Sequence, residues 1–297
     1  MGTPAFAVPS LDSLVSAGHR VQAVFTQPDR PKGRGQKESM PPVKEAALRL
    51  GLPVFQPERV RAQEIVEQLA ALKPDVMIVV GYGQLIPQSI LDIPPHGILN
   101  VHASLLPKFR GAAPIQWALA RGEFRTGVTT MKINAGLDTG DMLLKWETEI
   151  GPQENAVDLG ARLASAGAQL LIETLTQLDA IQPEPQDHSQ ATWAPVIKKE
   201  DGRIDWSKSA AEIHQRMRGF TPWPGCYGFL RGQRFHIWTA TVTERQLAPG
   251  ELLLEGKRLF AGCGQGSLEL LEVQLEGRKR MDASAFVNGL SLDGGLE

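Results

Sequence analysis

The stretch LNVHASLLPKFRG, Leu99 to Gly111, joins the end of an apolar strand to a polar turn and a basic tail. Its strand belongs to GILNVHAS (Gly97–Ser104), and an earlier apolar run, DVMIVV (Asp75–Val80), lies between a proline and a glycine. Short apolar runs bounded in this way are typical of strands buried on both faces of a sheet. Because segments with helical spacing alternate with these strands, the sequence predicts an α/β fold with a parallel sheet and helices on both sides.

The sequence pattern changes after about residue 180. A helix predicted over 155–178 is followed by DAIQPEPQDHSQATWAP (Asp179–Pro195), which has three prolines and little apolar periodicity, as is typical of a linker. One further helix, at about Lys208–Arg218, precedes several short strands separated by glycine-containing turns, which predict a small β-barrel or sandwich. We therefore predict domains at 1–180 and 200–297, with a linker at 181–199.

The composition excludes several classes of protein. Hydrophobic residues make up 42% and charged residues 22% of the 297 residues, and the net charge of −2 excludes a globally basic nucleic-acid coat but not a local basic patch. Cys226 and Cys263 lie far apart and outside any Cys-x-x-Cys pair, so we expect neither a disulfide framework nor a zinc site. No apolar run approaches the roughly 20 residues of a membrane helix and no signal-peptide pattern is visible, so we expect a cytoplasmic protein.

Asn100 and His102 stand two residues apart near the end of their predicted strand, so their side chains project from the same face. Open α/β sheets bind ligands beyond the carboxyl ends of their strands. An amide can donate a hydrogen bond to a developing oxyanion, and an imidazole can change its protonation near neutral pH. The pair therefore points to carbonyl chemistry, although two polar side chains with ordinary partners at a strand end would give the same pattern.

Asp138 lies in the glycine-rich segment NAGLDTGD, between Gly136 and Gly140. The glycines let the backbone fold tightly and bring a carboxylate toward another element. A carboxylate beside His102 would favour the imidazolium and fix its tautomer. Two alternatives compete with this interpretation: an Asx turn in which Asp138 binds its own backbone, and Asp141 as the functional carboxylate.

Two loops have features of ligand sites. GYGQLI (Gly81–Ile86) follows a strand and begins like a dinucleotide-binding loop, but it lacks the third glycine that a nicotinamide site needs. DRPKGRGQK (Asp29–Lys37) combines two glycines with four basic side chains, Arg30, Lys32, Arg34 and Lys37. Such a loop suits contact with phosphates, but a solvated surface loop would have the same composition. We find neither a Walker-type loop nor metal-ligand spacing, so no metal is expected.

Together these motifs resemble the 10-formyltetrahydrofolate-dependent formyltransferases. The resemblance is carried by LNVH (99–102), SLLP (104–107), RGAAPI (110–115) and GLDTGD (136–141). Five further stretches resemble the members that act on initiator methionyl-tRNA: GTPAFAVPSL, VFTQPDRPKGRG, GLPVFQPE, RIDWSKSA and RGFTPWPG. The last two lie beyond residue 200, in a C-terminal domain that members without a tRNA substrate generally lack. The resemblance therefore extends over nearly the whole chain.

The resemblance implies a Rossmann-like catalytic domain, a C-terminal OB-type barrel and 10-formyltetrahydrofolate as the formyl donor. It implies that Asn100, His102 and Asp138 are catalytic, and that a turn lines the folate site, namely Ser104, Leu105, Leu106 and Pro107. It also implies that the basic loop enters the acceptor end of initiator methionyl-tRNA, whose α-amino group receives the formyl group for translation initiation. We expect a monomer that needs no metal.

Two other functions fit the sequence less well. A family member that formylates or hydrolyses a small substrate would share the catalytic residues, but the basic loop and the C-terminal domain argue against it. A catalytically idle tRNA-binding module would share that domain, but the intact Asn100, His102 and Asp138 argue against it. From residue 201 onward twelve Lys or Arg balance twelve Asp or Glu, so tRNA binding there needs a one-sided patch. Its candidates are Lys198, Lys199, Arg203, Arg216, Arg218 and Arg278–Arg280.

The start of the sequence departs from the family pattern. Relatives usually carry a short apolar strand before Gly-Thr-Pro, whereas this sequence opens with Met1 and Gly2. We therefore expect the first strand of the sheet to be missing, through a start assigned at an internal methionine or through truncation, and the protein to be less stable without it.

Overall fold

The computed structural model describes residues 1–32, 37–288 and 295–297. The chain divides into two compact units. The first unit has three segments, Met1–Pro114, Arg125–Glu149 and Gly160–Pro195. The second unit also has three, Ile115–Phe124, Ile150–Leu159 and Val196–Glu297. Because the second unit takes two segments from the first 180 residues, the domain boundaries drawn from the sequence stay a prediction.

The strands described in the first unit are short. In chain order they are β1 (Val24–Phe25), β2 (Arg30–Lys32), β3 (Lys37–Ser39), β4 (Val54–Phe55), β5 (Met77–Val79), β6 (Ile98–His102), β7 (Arg110–Gly111), β8 (Arg125–Lys132), β9 (Met142–Glu149) and β10 (Trp193–Ala194). The central sheet has the order β5-β6-β8-β9, and parallel pairs join β1 to β4, β5 to β6 and β7 to β10. The predicted α/β class with parallel strands is confirmed, and β8 and β9 extend the sheet in antiparallel fashion.

The first α-helix precedes β1, and the other α-helices of the first 195 residues lie between strands. In chain order the helices are α1 (Val8–Ser16), α2 (Pro42–Arg49), α3 (Gln63–Leu72), α4 (Gln88–Leu91), α5 (Pro114–Ala120) and α6 (Ala156–Thr176). The helix predicted over 155–178 is confirmed as α6, which ends two residues earlier. The side chain of Asn155 accepts hydrogen bonds from the backbone of Val157 and Asp158 and so starts the helix. Of the residues in the predicted 3.6-residue period, Leu159, Leu163 and Leu170 are buried and Ala166 is half-buried.

Met1 and Gly2 lie between β1 and β5, which do not pair with each other. The amide of Gly2 donates to the carbonyl of Phe25 at 3.0 Å, and the carbonyl of Met1 accepts from Val80 at 2.9 Å. The α-amino group donates to the carbonyl of Ile78 at 2.6 Å, and burial lowers the pKa of this amine to about 5. A cavity of about 500 Å³ adjoins Met1 and Gly2 and is lined by apolar side chains such as Met77 and by polar ones such as His96 and Asp179. The two residues thus bridge β1 and β5 at one end of this cavity.

An apolar extension ahead of Met1 is expected to stabilise the first unit. Four strand-forming residues, such as Val-Ile-Val-Phe, would pair with β1 and β5 and bury at least two side chains in the cavity. Each fully buried side chain stabilises by about 1.5–3 kcal/mol, so the thermal midpoint should rise by about 6 °C or more. Calorimetry of the chain with and without the extension measures this. A Ser-Asp-Ser-Asp extension is the control, and equal midpoints for the two extensions would contradict the expectation.

The second unit is built on antiparallel strands. After α7 (Ala210–Phe220) come β11 (Cys226–Leu230), β12 (Gln233–Thr243), β13 (Leu252–Glu255), β14 (Arg258–Gly262), β15 (Ser267–Leu275), β16 (Met281–Asp282) and α8 (Ala283–Phe286). The sheet has the order β11-β12-β15-β14-β13, with β16 on β15. This sheet agrees with the predicted β-rich C-terminal domain. The predicted helix is confirmed as α7, which a reciprocal cap between Ser209 and Glu212 starts.

The proline-rich segment 179–195 belongs to the first unit and packs within it. Glu184 exchanges two backbone hydrogen bonds with Met142, and Trp193 and Ala194 form β10 beside β7. Gln186 is buried although its neighbours Pro185 and Asp187 are exposed. The sequence suggested a linker because this segment is held by backbone and side-chain hydrogen bonds rather than by a periodic apolar face. Separately, none of the helices that the structure describes is long and apolar enough to cross a membrane.

Candidate active site

Strand β6 places Asn100 and His102 on one face at the middle of the central sheet. β6 pairs with β5 on one side and with β8 on the other, where His102 stands opposite Thr129. The ring of His102 is 6% exposed, and Asn100 is half-buried. The shared face predicted from the two-residue spacing therefore agrees with the structure, and both side chains lie where the strand ends.

The tautomer of His102 follows from its partner. Its Nε2 lies 3.0 Å from the carbonyl oxygen of Phe109. Because a carbonyl oxygen only accepts hydrogen bonds, Nε2 carries a hydrogen and donates it. The other nitrogen, Nδ1, therefore holds a lone pair in the neutral ring and a hydrogen only in the imidazolium. Any proton that His102 gains or gives during a reaction is at Nδ1.

The carboxylate of Asp138 lies beside both side chains. Its Oδ1 is 3.5 Å from Nδ2 of Asn100, and its Oδ2 is 3.8 Å from Nδ1 of His102. Oδ2 also accepts a hydrogen bond from the backbone amide of Gly111 at 2.8 Å. The side chain of Asp138 is 15% exposed, so the carboxylate is shielded but not sealed from water. The predicted set of three residues thus converges in the structure.

The two alternatives for Asp138 find no support in the geometry. The Asx turn in this segment belongs to Asn134, whose side-chain oxygen accepts from the amide of Gly136 at 3.0 Å and from the hydroxyl of Thr139 at 2.8 Å. Asp138 binds Gly111, which is distant in sequence. Asp141 is exposed, while its backbone carbonyl accepts from Lys132. The carboxylate that faces His102 is that of Asp138.

Two glycines allow the backbone to approach closely around this carboxylate. A Cβ on Gly140 would stand 1.9 Å from the carbonyl oxygen of Lys132. Gly111 has a φ of +118°, and a Cβ there would stand 2.6 Å from the carbonyl oxygen of Ala194. We predicted the tight fold around Gly140, but not the amide of Gly111 as a ligand of Asp138. Gly111 lies in RGAAPI, a motif that carried the family resemblance, but the sequence does not show that its amide binds Asp138.

The turn Ser104–Pro107 is fixed from inside the protein. The hydroxyl of Thr129 donates to the carbonyl of Ser104 at 2.7 Å and accepts from the amide of Leu106 at 3.1 Å. Ser104 and Leu106 are fully buried, and Leu106 packs with Met131 and Met142. Leu105 and Pro107 are half-buried. Of the four predicted folate-site residues, Leu105 and Pro107 are therefore the ones with accessible side chains.

The structure describes the predicted tRNA-contacting loop only in part. Arg30 is exposed, and Lys32 and Lys37 pair across the two strands β2 and β3. Arg34 lies outside the described residues. At the base of the loop, the Lys44 ammonium 2.5 Å from Asp29 lowers the pKa of that carboxyl group, and the amide of Gln56 adds to the effect. The base of the loop is thus held to the first unit.

The glycine-containing loop GYGQLI serves packing. Tyr82 is buried, and burial raises its pKa to about 12. The side chain of Gln84 accepts from the amide of Val60 at 2.8 Å, and the carbonyl of Tyr82 accepts from Thr3 and Gln27. Within the described ranges no three His, Cys, Asp or Glu side chains are grouped as metal ligands would be.

Two further side chains at the site, Arg110 and Gln186, were not predicted as site residues. Gln186 donates to the carbonyl oxygens of Asp138 and Gly140, and it accepts from Arg110. Arg110 is 3% exposed and also donates to Nδ1 of His188 at 3.0 Å. Arg110 belongs to a motif that carried the family resemblance, but Gln186 lies in the predicted linker, where composition gives no hint of a buried amide.

Comparisons with known proteins agree with this fold and identify the family. A family model described as formyl transferase matches residues 1–175, and one described as formyl transferase, C-terminal domain, matches residues 196–291. The chain is 60% identical over 295 residues to the methionyl-tRNA formyltransferase of Solibacter usitatus, covering 98% of this chain and 95% of that one. It is 58% identical to that of Koribacter versatilis, covering 97% and 94% of the two chains.

A solved structure has the same fold at low identity. The N-formyltransferase of Helicobacter canadensis, in complex with folinic acid and dTDP-3-aminofucose, superposes with a TM-score of 0.67 at 18% identity. The match covers 91% of this chain and 96% of that one. The resemblance in fold therefore extends over both chains.

Proposed function

Since the chain belongs to the formyl transferase family, we propose that it transfers the formyl group of 10-formyltetrahydrofolate to the α-amino group of initiator methionyl-tRNA, using Asn100, His102 and Asp138. The observation that carries this proposal is the convergence of an amide, an imidazole and a carboxylate within 3.5–3.8 Å at the end of β6. Relatives at 60% and 58% identity over nearly the full length are methionyl-tRNA formyltransferases, which supports the choice of acceptor.

The first step is attack of the α-amino nitrogen on the formyl carbon. A nitrogen–carbon bond forms, and the formyl oxygen becomes an oxyanion in a tetrahedral intermediate. The amide of Asn100 and the imidazolium of His102, through Nδ1, donate hydrogen bonds to this oxygen. Nε2 is already engaged with Phe109, so Nδ1 is the only nitrogen of the ring that can do so. Each such donor contributes on the order of 3 kcal/mol to the transition state.

The second step moves one proton and breaks one bond. The attacking amine loses a proton, the bond between the formyl carbon and N10 of the folate breaks, and N10 receives a proton. Asp138 stabilises the imidazolium from 3.8 Å and accepts the amine proton directly or through water before N10 takes it. The hydrogen bond from Gly111 holds the carboxylate in place without adding charge. No covalent intermediate with the protein is needed.

We place the folate against the turn Ser104–Pro107. Leu105 and Pro107 offer accessible apolar surface, while Ser104 and Leu106 fix the shape of the turn from inside. The tRNA acceptor end would meet the basic loop, where Arg30 is exposed. Arg34, Lys32 and Lys37 stay predictions as tRNA contacts.

Part of the predicted basic patch on the second unit is engaged in structural contacts. Arg216 donates to the carbonyl of Asp201, and Arg218 donates to the carbonyls of Pro152 and Glu154. Burial lowers the pKa of Arg218. We therefore restrict the proposed tRNA patch to the exposed side chains Lys198, Lys199, Arg203, Arg278 and Lys279. Arg280 is also exposed, but it is left out because it is ion-paired with Glu272.

Neutralising this patch is expected to weaken tRNA binding. In the triple variant Lys199→Gln, Arg203→Gln, Lys279→Gln, each lost phosphate contact should reduce the slope of log K against log salt by roughly 0.7–0.9. The binding constant for methionyl-tRNA, measured between low and physiological salt, gives the slope. The double variant Arg245→Gln, Lys257→Gln removes two charges elsewhere on the second unit and is the control. An unchanged affinity and slope in the triple variant would contradict the patch.

One assay tests the proposed function. The protein is mixed with 10-formyltetrahydrofolate and methionyl-tRNA, and the acid-stable formylmethionine is released from the tRNA by base and identified by mass spectrometry. Transfer to methionyl-tRNA supports the proposal. Transfer to a small amine only would favour a small-substrate enzyme of the family, and no transfer by a folded protein would favour a tRNA-binding module. The cytoplasmic location and the monomeric state stay predictions.

A further inference from the structure

Gln186 uses all of its polar side-chain atoms on the backbone and the arginine that surround Asp138. Its Nε2 donates to the carbonyl oxygen of Asp138 at 2.9 Å and to that of Gly140 at 2.7 Å. Its Oε1 accepts from Nε of Arg110 at 3.0 Å and from Nη2 at 2.7 Å. Carbonyl oxygens only accept and a guanidinium only donates, so these partners fix the orientation of the amide. The side chain is 6% exposed.

These bonds connect the two backbone segments that hold the Asp138 carboxylate. One segment contains Asp138 itself, and the other contains Arg110 and Gly111, whose amide donates to Oδ2 of Asp138. Gln186 is in turn anchored by its own chain, because Glu184 exchanges backbone hydrogen bonds with Met142. A single buried amide therefore links the loop of the carboxylate to the segment that binds it.

The backbone at this point needs such support. Asp138 has a φ of +51° and Phe109 a φ of +60°, which is the left-handed region that side chains other than glycine rarely adopt. Residues in this region persist where the surrounding structure holds them in place. At Asp138 the two hydrogen bonds from Nε2 of Gln186, one on Asp138 and one on Gly140, supply that hold.

We propose that Gln186 is a positioning residue, which fixes the Asp138 loop so that the carboxylate faces Asn100 and His102. This inference rests on the proposed function for the role of the carboxylate. The proline-rich segment 179–195 thus takes part in the catalytic site, whereas the sequence suggested that it only connects domains. Gln186 itself does not touch the reacting atoms.

Two substitutions separate positioning from mere packing. Gln186→Glu retains the acceptor for Arg110 but places a carboxylate against the two carbonyl oxygens that need a donor. Gln186→Met retains the volume of the side chain and loses both the donor and the acceptor. Since misplacing a catalytic group costs up to about 100-fold, we expect both variants to lower kcat by about 10- to 100-fold. The KM values for folate and tRNA should stay within about threefold, because Gln186 is buried and is not among the residues proposed to contact either substrate.

The measurements are kcat and KM for both substrates, the thermal midpoint, and hydrogen exchange of the peptide 134–141. Faster exchange of this peptide in both variants, with exchange elsewhere unchanged, is the expected result. The control is Gln182→Glu, an exposed position on the same segment that should behave as the unmodified chain does. Gln186→Asn retains the amide on a shorter side chain and should recover part of the lost kcat.

Two kinetic results would overturn the inference. One is a wild-type kcat in both variants. The other is a wild-type kcat in Gln186→Glu together with a low kcat in Gln186→Met, because only the hydrogen bonds from Arg110 would then matter. If the variants do not fold, NMR of the unmodified chain tests the inference through the exchange rate of the side-chain NH₂ protons of Gln186. Slow exchange of these protons with solvent supports the proposed positioning role of Gln186, and exchange at the rate of a free amide refutes it. Failure of the unmodified chain to transfer formyl groups would instead refute the proposed function.

Discussion

Asp138→Asn is expected to lower kcat by on the order of 10³–10⁴, as loss of the charge that orients a catalytic imidazole does elsewhere. The amide oxygen of asparagine can still accept from the amide of Gly111, and asparagine tolerates the left-handed backbone at this position. The loop should therefore keep its shape. What is lost is the negative charge 3.8 Å from Nδ1 of His102 and the acceptor for the amine proton.

Steady-state kinetics with 10-formyltetrahydrofolate and methionyl-tRNA measure this effect. Folate affinity, from fluorescence titration, should change by less than about threefold, because the charge acts mainly in the transition state. Asp141→Asn, three residues further along the same segment, is the matched control and should retain nearly full kcat. If Asp141→Asn were the damaging substitution and Asp138→Asn were not, the carboxylate would be wrongly assigned.

Asn100→Ala and His102→Gln are expected to lower kcat by about 10²–10³ and about 10²–10⁴ respectively, with little change in folate affinity. Glutamine can reach the carbonyl oxygen of Phe109 with its Nε2, so the fold around His102 should persist. Its remaining polar atom, Oε1, only accepts hydrogen bonds, so glutamine cannot replace Nδ1 as a donor to the oxyanion. Alanine at position 100 removes the amide donor without adding volume.

The double variant Asn100→Ala, His102→Gln tests whether both side chains act on one oxyanion. Because a shared oxyanion is already poorly stabilised after the first loss, kcat should fall only about tenfold below the worse single variant. Independent roles would give the product of the two single effects, which would contradict the shared oxyanion. His96→Gln replaces a half-exposed histidine of the first unit and is the control for the ring substitution.

The local pattern of the sequence predicts most of the elements that position the site. β6 and α6 follow from an apolar run and a 3.6-residue period, and the shared face of Asn100 and His102 follows from the two-residue repeat of a strand. Each of these depends on neighbouring residues, which the sequence displays directly. The antiparallel pairing of β8 with β6 depends on contacts between distant segments, and the alternation of strands and helices did not reveal it.

In the site, too, local sequence and tertiary structure decide different features. The sequence determined which side chains are the candidates for the chemistry, since an amide, an imidazole and a carboxylate appear in motifs that resemble one enzyme family. Only the tertiary structure decided how these groups are held: Nε2 of His102 on Phe109, the amide of Gly111 on Asp138, and the buried amide of Gln186 on the Asp138 loop. Hydrogen bonds between residues 27 and 48 positions apart leave no period or composition in the sequence, because their geometry exists only once the backbone has folded.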